Sequence, residues 1–176
     1  MEHSGSIHVL VVDDEEALLE TYSAMLSIDY EVETAAAGAD ALAKLSSETD
    51  VVLLDRRMPE QSGEEILSEI RDRDVDCQVV FCSAVVPDAD IVPLEIDGYL
   101  QKPVSPDELS EMIERQANIK THSDEVREYV ALEAKRSAIE DAGAPTSSDE
   151  QYQTLLTELE QKEQAVDVTE IEAVPV

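Results

Sequence analysis

Four short apolar runs, each closed by a charged or hydroxyl-bearing residue, constrain this chain more than anything else in it. Val51-Val52-Leu53-Leu54 ends in Asp55, and Val9-Leu10-Val11-Val12 ends in Asp13-Asp14-Glu15-Glu16. Val79-Val80-Phe81-Cys82 ends in Ser83, and Tyr99-Leu100-Gln101 ends in Lys102-Pro103. Runs of this length and composition read as strands buried on both faces, as in a parallel sheet. Taken alone, Asp55 could simply open a turn. Taken together, the carboxyl ends of parallel strands share one edge, where open α/β sheets hold their ligands.

Three carboxylates, a hydroxyl and an ammonium would therefore converge. Crowded carboxylates repel unless a cation sits among them. Oxygen ligands that include one or two carboxylates and leave water positions open suit Mg²⁺ better than a softer metal. Lys102 supplies a positive point charge and Ser83 an O–H donor. The set fits an anionic, phosphate-like group held at the metal.

Between the strands the pattern turns helical. Ile7 to Val12 reads as the first strand and Asp14 to Ser27 as the first helix; Tyr30 to Thr34 makes a second strand, and Gly38 opens a short helix through Leu45. Ser62-Gly63-Glu64-Glu65 is a capping box, in which the serine hydroxyl and the glutamate satisfy early backbone donors reciprocally. The helix it starts carries Ile66, Leu67 and Ile70 inward and ends near Arg73. Ser105-Pro106-Asp107-Glu108 repeats the signal with proline at the first helical position. This alternation predicts a doubly wound, five-stranded parallel sheet with right-handed crossovers. Between Ser83 and Lys102 the pattern weakens. Pro87 and Pro93 fall where a helix is expected, and a proline inside a helix removes a donor and clashes with the preceding turn. That helix should be short, bent or partly missing.

The pieces VVDDE (Val11 to Glu15), LLDRRMPEQSG (Leu53 to Gly63), FCSA (Phe81 to Ala84) and YLQKPV (Tyr99 to Val104) stand in the order and near the spacing of a known family. On these motifs residues 7–119 resemble the receiver domain of two-component response regulators, a flavodoxin-like fold. The resemblance implies that Asp55 accepts a phosphoryl group from a sensor histidine kinase. It implies that Asp14 ligates Mg²⁺ directly, Asp13 mainly through water, and Arg57 through its backbone carbonyl. Lys102, aided by a cis bond to Pro103, would pair with the phosphate. Ser83 would hydrogen-bond it, with the small Ala84 leaving access, and Tyr99 would rotate inward behind Ser83 as a switch. In typical receivers the fourth helix and fifth strand form the output face, so the two prolines put the usual dimer mode in doubt.

Beyond residue 120 the composition changes. Val126, Tyr129, Val130, Leu132 and Ile139 mark one amphipathic helix; Gly143 to Ser148 breaks it, and Ser148-x-x-Gln151 restarts another with Tyr152, Leu155, Leu156, Leu159 and Val166 as its apolar stripe. This helical hairpin, 120–166, resembles the HalX domain attached to receivers in halophilic archaea, on the run Tyr129 to Arg136 and the paired-helix layout. Its stripes serve equally well for an intramolecular hairpin or for a homodimer seam. Residues 1–6 read as a flexible start and 167–176 as an acidic, disordered tail.

With 42 acidic and 12 basic residues the chain carries a net charge of −30. That argues against a nucleic-acid phosphate surface, which needs clustered Lys and Arg, and against anionic membranes. The acidity reads either as the solvated surface of an ordinary acidic regulator or, as the few Lys, one Phe and no Trp favour, as a salt-loving source, where ionic strength screens self-repulsion. Without an apolar run near 18 residues or a signal-peptide pattern, a cytoplasmic location is expected. Cys77 and Cys82 are five apart, on opposite faces of a strand, so they should be reduced core residues with no bridge. His3, His8 and His122 are scattered and not catalytic.

The expected function is a phosphorylation-activated switch and not a turnover enzyme, signalling through protein contacts of residues 120–166. No helix-turn-helix with a basic recognition helix is visible. The alternatives are a Mg²⁺-dependent aspartyl-phosphate phosphatase or a degenerate receiver used only for docking. Such phosphatases usually carry a second acid two residues after the nucleophile, and that position is Arg57. The intact Asp13, Asp14, Asp55, Ser83 and Lys102 set speaks against the docking role.

Overall fold

A computed structural model describes residues 5–73, 75–143 and 149–166. Strands β1 (His8–Val12), β2 (Glu31–Ala35), β3 (Val51–Leu54), β4 (Gln78–Ser83) and β5 (Gly98–Gln101) form one parallel sheet in the order β2-β1-β3-β4-β5. Helices α1 (Glu16–Leu26), α2 (Gly38–Lys44), α3 (Gly63–Arg71) and α4 (Pro106–Ile119) belong to the crossovers and the end of the sheet domain. The doubly wound architecture is as expected, with boundaries shifted by a residue or two. Helix α1 starts at Glu16 because Asp13 Oδ1 accepts from the Glu15 amide at 2.9 Å and holds the preceding turn extended.

Both predicted capping boxes form. The Ser62 hydroxyl accepts from the Glu65 amide at 3.2 Å while Glu65 accepts from the Ser62 amide at 2.8 Å. Ser105 and Glu108 repeat the exchange at 3.3 and 2.8 Å, with Pro106 opening α4. Between β4 and β5 the helix is almost absent. A single 3₁₀ turn, Ala89–Ile91, is all that forms, and it ends two residues before Pro93.

Alternation along each strand sorts the core into two layers. Val9, Val11, Val51, Leu53, Val80 and Cys82 face α1 and α4, meeting Leu19, Tyr22, Leu26, Leu109 and Ile113. Leu10, Val12, Val52, Leu54, Val79 and Phe81 face the other way, toward Ile66, Leu67 and Ile70 of α3. Cys77 joins that second layer and Cys82 the first; both are buried, free thiols, whose pKa burial pushes up to about 11.

The second layer is finished from far along the chain. Helices α5 (Asp124–Asp141) and α6 (Glu150–Glu163) pair as a hairpin, α5 lying along β5 and α6 against the 3₁₀ turn. Ile139, Tyr152, Leu155 and Leu159 are buried in the same cluster as Phe81, Ile91, Ile96 and Tyr99. The apolar stripes thus serve an intramolecular hairpin that takes the place left by the missing helix. A smaller cluster of Ile119, Val126, Val130 and Val166 joins the end of α4 to the hairpin. Gly143, at φ 68°, follows the C-cap of α5, the position where a left-handed residue ends a helix. The cap of α6 is Asp149, whose carboxylate accepts from the Gln151 and Tyr152 amides; the expected cap, Ser148, and the expected tail 167–176 lie outside the described residues.

Candidate functional site at the carboxyl edge of the sheet

Register brings the site together. Val12 pairs with Leu54 and Leu54 with Phe81, so Asp13, Asp55 and the end of β4 emerge side by side. The ladder runs one step beyond the strands. The Asp55 amide donates to the Val12 carbonyl at 2.8 Å, the Asp13 amide to Ala35 at 3.1 Å, and the Lys102 amide to Ser83 at 2.9 Å. Each functional side chain therefore leaves a backbone position pinned by sheet hydrogen bonds. The turn after Asp55 is pinned by Gly63. Its amide donates to the Arg56 carbonyl at 2.9 Å, and a Cβ there would fall 2.4 Å from the Asp55 carbonyl oxygen. Only glycine permits this approach.

Asp13, Asp14 and Asp55 each offer a carboxylate oxygen, all within 4.8 Å of one another. Asp13 is buried, Asp14 exposed and Asp55 only 8% exposed. The Lys102 ammonium donates to Asp13 Oδ2 and lies 3.8 Å from Asp55 Oδ1, across the peptide from the cis-bonded Pro103. Burial raises the Asp55 carboxyl above its ordinary pKa; the Lys102 charge and the Ser83 side chain pull it back only in part. For Lys102 burial opposes the charge, yet its hydrogen bond to Asp13 and the two carboxylates outweigh this and hold its pKa above the lysine value. The donor set is all hard oxygen, two of the three carboxylates are desolvated, and one cation does not neutralise them.

A cleft of about 440 Å³ opens over this edge, lined by Asp14, Asp55, Arg57, Ser83, Ala84 and Lys102 among others. Arg57 is at its rim, Ser83 is buried, and the Ser83 hydroxyl accepts from the Val85 amide at 3.3 Å. Tyr99 is brought only to the back of the cleft. It is buried edge-on against Phe81, and its hydroxyl donates to the Val85 carbonyl at 2.6 Å. Glu15 caps α1 and Glu16 opens it, as first-turn acids suited to the helix dipole.

One residue of this neighbourhood has no counterpart in the sequence reading. Arg56, next to Asp55, is buried, and its guanidinium pairs with Glu64 of α3 (2.7 Å) and with Asp90 of the 3₁₀ turn. These two carboxylates outweigh the cost of its burial and raise its pKa. A signal existed: an arginine two residues past a fully buried strand needs partners, but the sequence does not say which.

Among the described residues no helix is long and apolar enough to cross a membrane. Residues 9–114 match the family model of the response regulator receiver domain, and 118–172 match that of the HalX domain. A candidate transcriptional regulator of Haloferax volcanii is 47% identical over 133 residues, covering 75% of this chain. The chain spans 23% of that protein's length and less than half of the next curated relatives it matches. The CheY-like receiver domain protein of Methanospirillum hungatei superposes with a TM-score of 0.61 at 26% identity, over 66% of this chain and 97% of its own. TrrA of Thermotoga maritima, solved in complex with Mg²⁺-BeF, gives 0.54 at 33% identity over 62% of this chain and 98% of its own. With its five-stranded sheet, its acidic edge and its cis-Pro lysine, the chain belongs to the response regulator receiver family of two-component systems, and its receiver is followed by a HalX domain.

Proposed function

We propose that the chain is a phosphorylation-driven switch in which Asp55 accepts a phosphoryl group from a sensor histidine kinase. The observation that carries this reading is the pairing of three clustered carboxylates with a lysine that reaches two of them. The Asp55 carboxylate, desolvated at the floor of the cleft, attacks phosphorus; a P–O bond forms as the P–N bond of phosphohistidine breaks, and the leaving imidazole takes up a proton. Lys102 is placed to exchange Asp13 for a phosphoryl oxygen, and the Ser83 hydroxyl to donate to another.

Mg²⁺ fits the site, because every donor is an oxygen and the negative charge exceeds what Lys102 balances. Asp13, Asp14, Asp55 and the Arg57 carbonyl would hold it. When bound it supplies charge neutralisation on the transferring phosphoryl oxygens. The complex of TrrA with Mg²⁺-BeF supports the same choice.

The output runs through protein contacts of the hairpin and not through DNA. Acids outnumber bases in both α5 and α6, so neither offers a basic recognition helix. The chain is not a turnover enzyme, since the second acid of an aspartyl phosphatase is replaced by Arg57. A homodimer seam made of the hairpin stripes would require Ile139, Leu155 and Leu159 to leave the core first.

Intact mass and sedimentation with Mg²⁺ and acetyl phosphate, in wild type and Asp55→Ala, test this. The expected result is one added phosphate in wild type and none in the variant. No adduct in wild type at high salt would overturn the phosphoacceptor role, and continuous release of phosphate would favour the phosphatase.

A further inference from the structure

At the amino end of the sheet, away from the carboxylate site, the hairpin and the sheet domain enclose a cleft of about 650 Å³. Its walls come from the end of α3, residues 95–97 that lead into β5, much of α5 and the second half of α6. Neither the receiver nor the hairpin forms it alone. Clefts of this size between two packed units are common small-molecule sites.

The charge inside it differs from that of the rest of the molecule. Four of the twelve Lys and Arg side chains line it, against five of the forty-two Asp and Glu. Three of the four cations are already matched. Arg71 pairs with Asp97 at 2.6 Å, Arg127 with Asp76 at 2.6 Å, and Lys162 with Glu128. Asp97 is matched twice, since it also accepts from the Val79 amide at 2.7 Å.

Lys135 of α5 is the exception. It is 7% exposed, and among the described residues its ammonium donates only to the Val92 carbonyl, at 3.0 Å. An ammonium carries three N–H donors, so two are left without a protein acceptor. Burial lowers its pKa, although Asp97, Glu158 and Glu95 stand close enough to oppose this. Glu95 and Glu158 are exposed on the walls of the cleft and form no ion pair among the described residues. Ile96, Ala131 and Leu132 add apolar surface to the same walls.

A buried cation of this kind calls for an anionic partner with hydrogen-bond acceptors. A simple anion would meet Lys135 but also the two unmatched carboxylates, which repel it. A ligand that carries a carboxylate and an ammonium a few bonds apart satisfies both. We infer that the cleft binds a small zwitterion of the aliphatic α-amino-acid class. Its carboxylate accepts from Lys135, its ammonium donates to Glu158 or Glu95, and its side chain lies on Leu132. The site stands apart from Asp55 and does not rest on the phosphoacceptor reading. Because sheet domain and hairpin both touch the ligand, its binding stabilises the docked hairpin by mass action.

Titration calorimetry of the full chain in high salt with L-leucine, isovalerate and isopentylamine tests this. Isovalerate keeps the carboxylate and the branched chain but lacks the ammonium; isopentylamine lacks the carboxylate. L-leucine is expected to bind once per chain, about tenfold tighter than either, the measure of one lost charge-assisted hydrogen bond. The thermal midpoint of the chain should rise by about 5 °C at a hundredfold excess over the measured dissociation constant. Lys135→Met, which replaces the buried charge with an apolar side chain of similar length, should abolish L-leucine binding without lowering the melting temperature. Glu95→Gln combined with Glu158→Gln, both at exposed positions, should weaken L-leucine about tenfold and leave isovalerate unchanged. Isovalerate binding as tightly as L-leucine would reduce the cleft to an anion site and overturn the zwitterion assignment. L-leucine that gives neither heat nor thermal shift, or that binds Lys135→Met undiminished, overturns the site itself. Should Lys135→Met fail to fold, the double glutamine variant decides, and unchanged L-leucine affinity there overturns the assignment.

Discussion

The two faces of the sheet are covered in different ways. One face is closed by α1 and α4, each a neighbour in sequence of the strand it protects. The other is closed by α2 and α3 and then, past β4, by a hairpin that begins more than twenty residues after the last strand. Where a crossover helix failed, because Pro87 and Pro93 interrupt it, distant apolar residues filled the gap. The comparison teaches that a strand buried on both faces demands two coverings but does not specify their origin. The receiver and the HalX domain share a core, although each matches its own family model.

The severest way to break the comparison is to remove the hairpin. A chain ending at residue 122 would expose Ile91, Ile96 and Tyr99, and it would forgo burial of four apolar side chains at about 1.5–3 kcal/mol each, a sum on the scale of total domain stability. Thermal unfolding followed by calorimetry should lose its cooperative transition or fall by more than about 10 °C. A fragment that melts like the full chain would show the hairpin to be a mere appendage.

Single core truncations come next. Leu155→Ala and Ile113→Ala remove fully buried side chains from opposite faces. If both coverings are equally part of the core, chemical denaturation should give losses of about 2–5 kcal/mol for each. A small loss at Leu155 beside a large one at Ile113 would rank the hairpin as loosely docked.

A smaller effect lies at the edge where the two faces meet. The folded pKa of Asp55 lies above the ordinary 3.8, so between those values the folded chain holds the extra proton and stability falls as pH rises. Above that window the full cost of the buried charge is present. Asn carries no charge, so Asp55→Asn should melt a few degrees higher than wild type at neutral pH with chelator. The advantage should shrink as pH drops through the window, and a variant that melts lower at every pH would refute the desolvation argument.

The smallest effects separate the helix starts. Ser62→Ala and Ser105→Ala each remove the hydroxyl half of a capping box and should cost about 1 kcal/mol. Ser123 caps α5 without a side-chain hydrogen bond, so Ser123→Ala should be close to neutral by the same denaturant titration. Equal losses at all three would mean that local capping does not distinguish the receiver helices from the hairpin.

Legibility followed the range of the interactions. The strands, the capping boxes at Ser62 and Ser105, and the failure near Pro93 rest on neighbours within a few positions, and all were readable. The cluster of Asp13, Asp14, Asp55 and Lys102 was also readable, since parallel strands with matched register must end on one edge. The cap at Asp149 was misplaced by one residue because Ser148 and Asp149 are both good caps, and spacing alone does not choose. Arg56 and Lys135 were not readable as buried groups. Arg56 donates to Glu64 eight positions on but also to Asp90 34 positions away, and Lys135 of α5 donates to the Val92 carbonyl 43 positions back, both of the distant acceptors in a segment with no periodic pattern.

The sequence by itself determined the sheet, its helix starts and the chemistry gathered at its edge, because period, capping and strand-end residues are local signals. Only the tertiary structure decided where the C-terminal stripes would go. An amphipathic helix states that it needs an apolar partner, not which one, and here the vacancy between β4 and β5 supplied it. For the same reason the short segment that failed to become a helix now lies between the carboxylate site and the hairpin, its Val85 carbonyl accepting the Tyr99 hydroxyl and its Val92 carbonyl the Lys135 ammonium of α5.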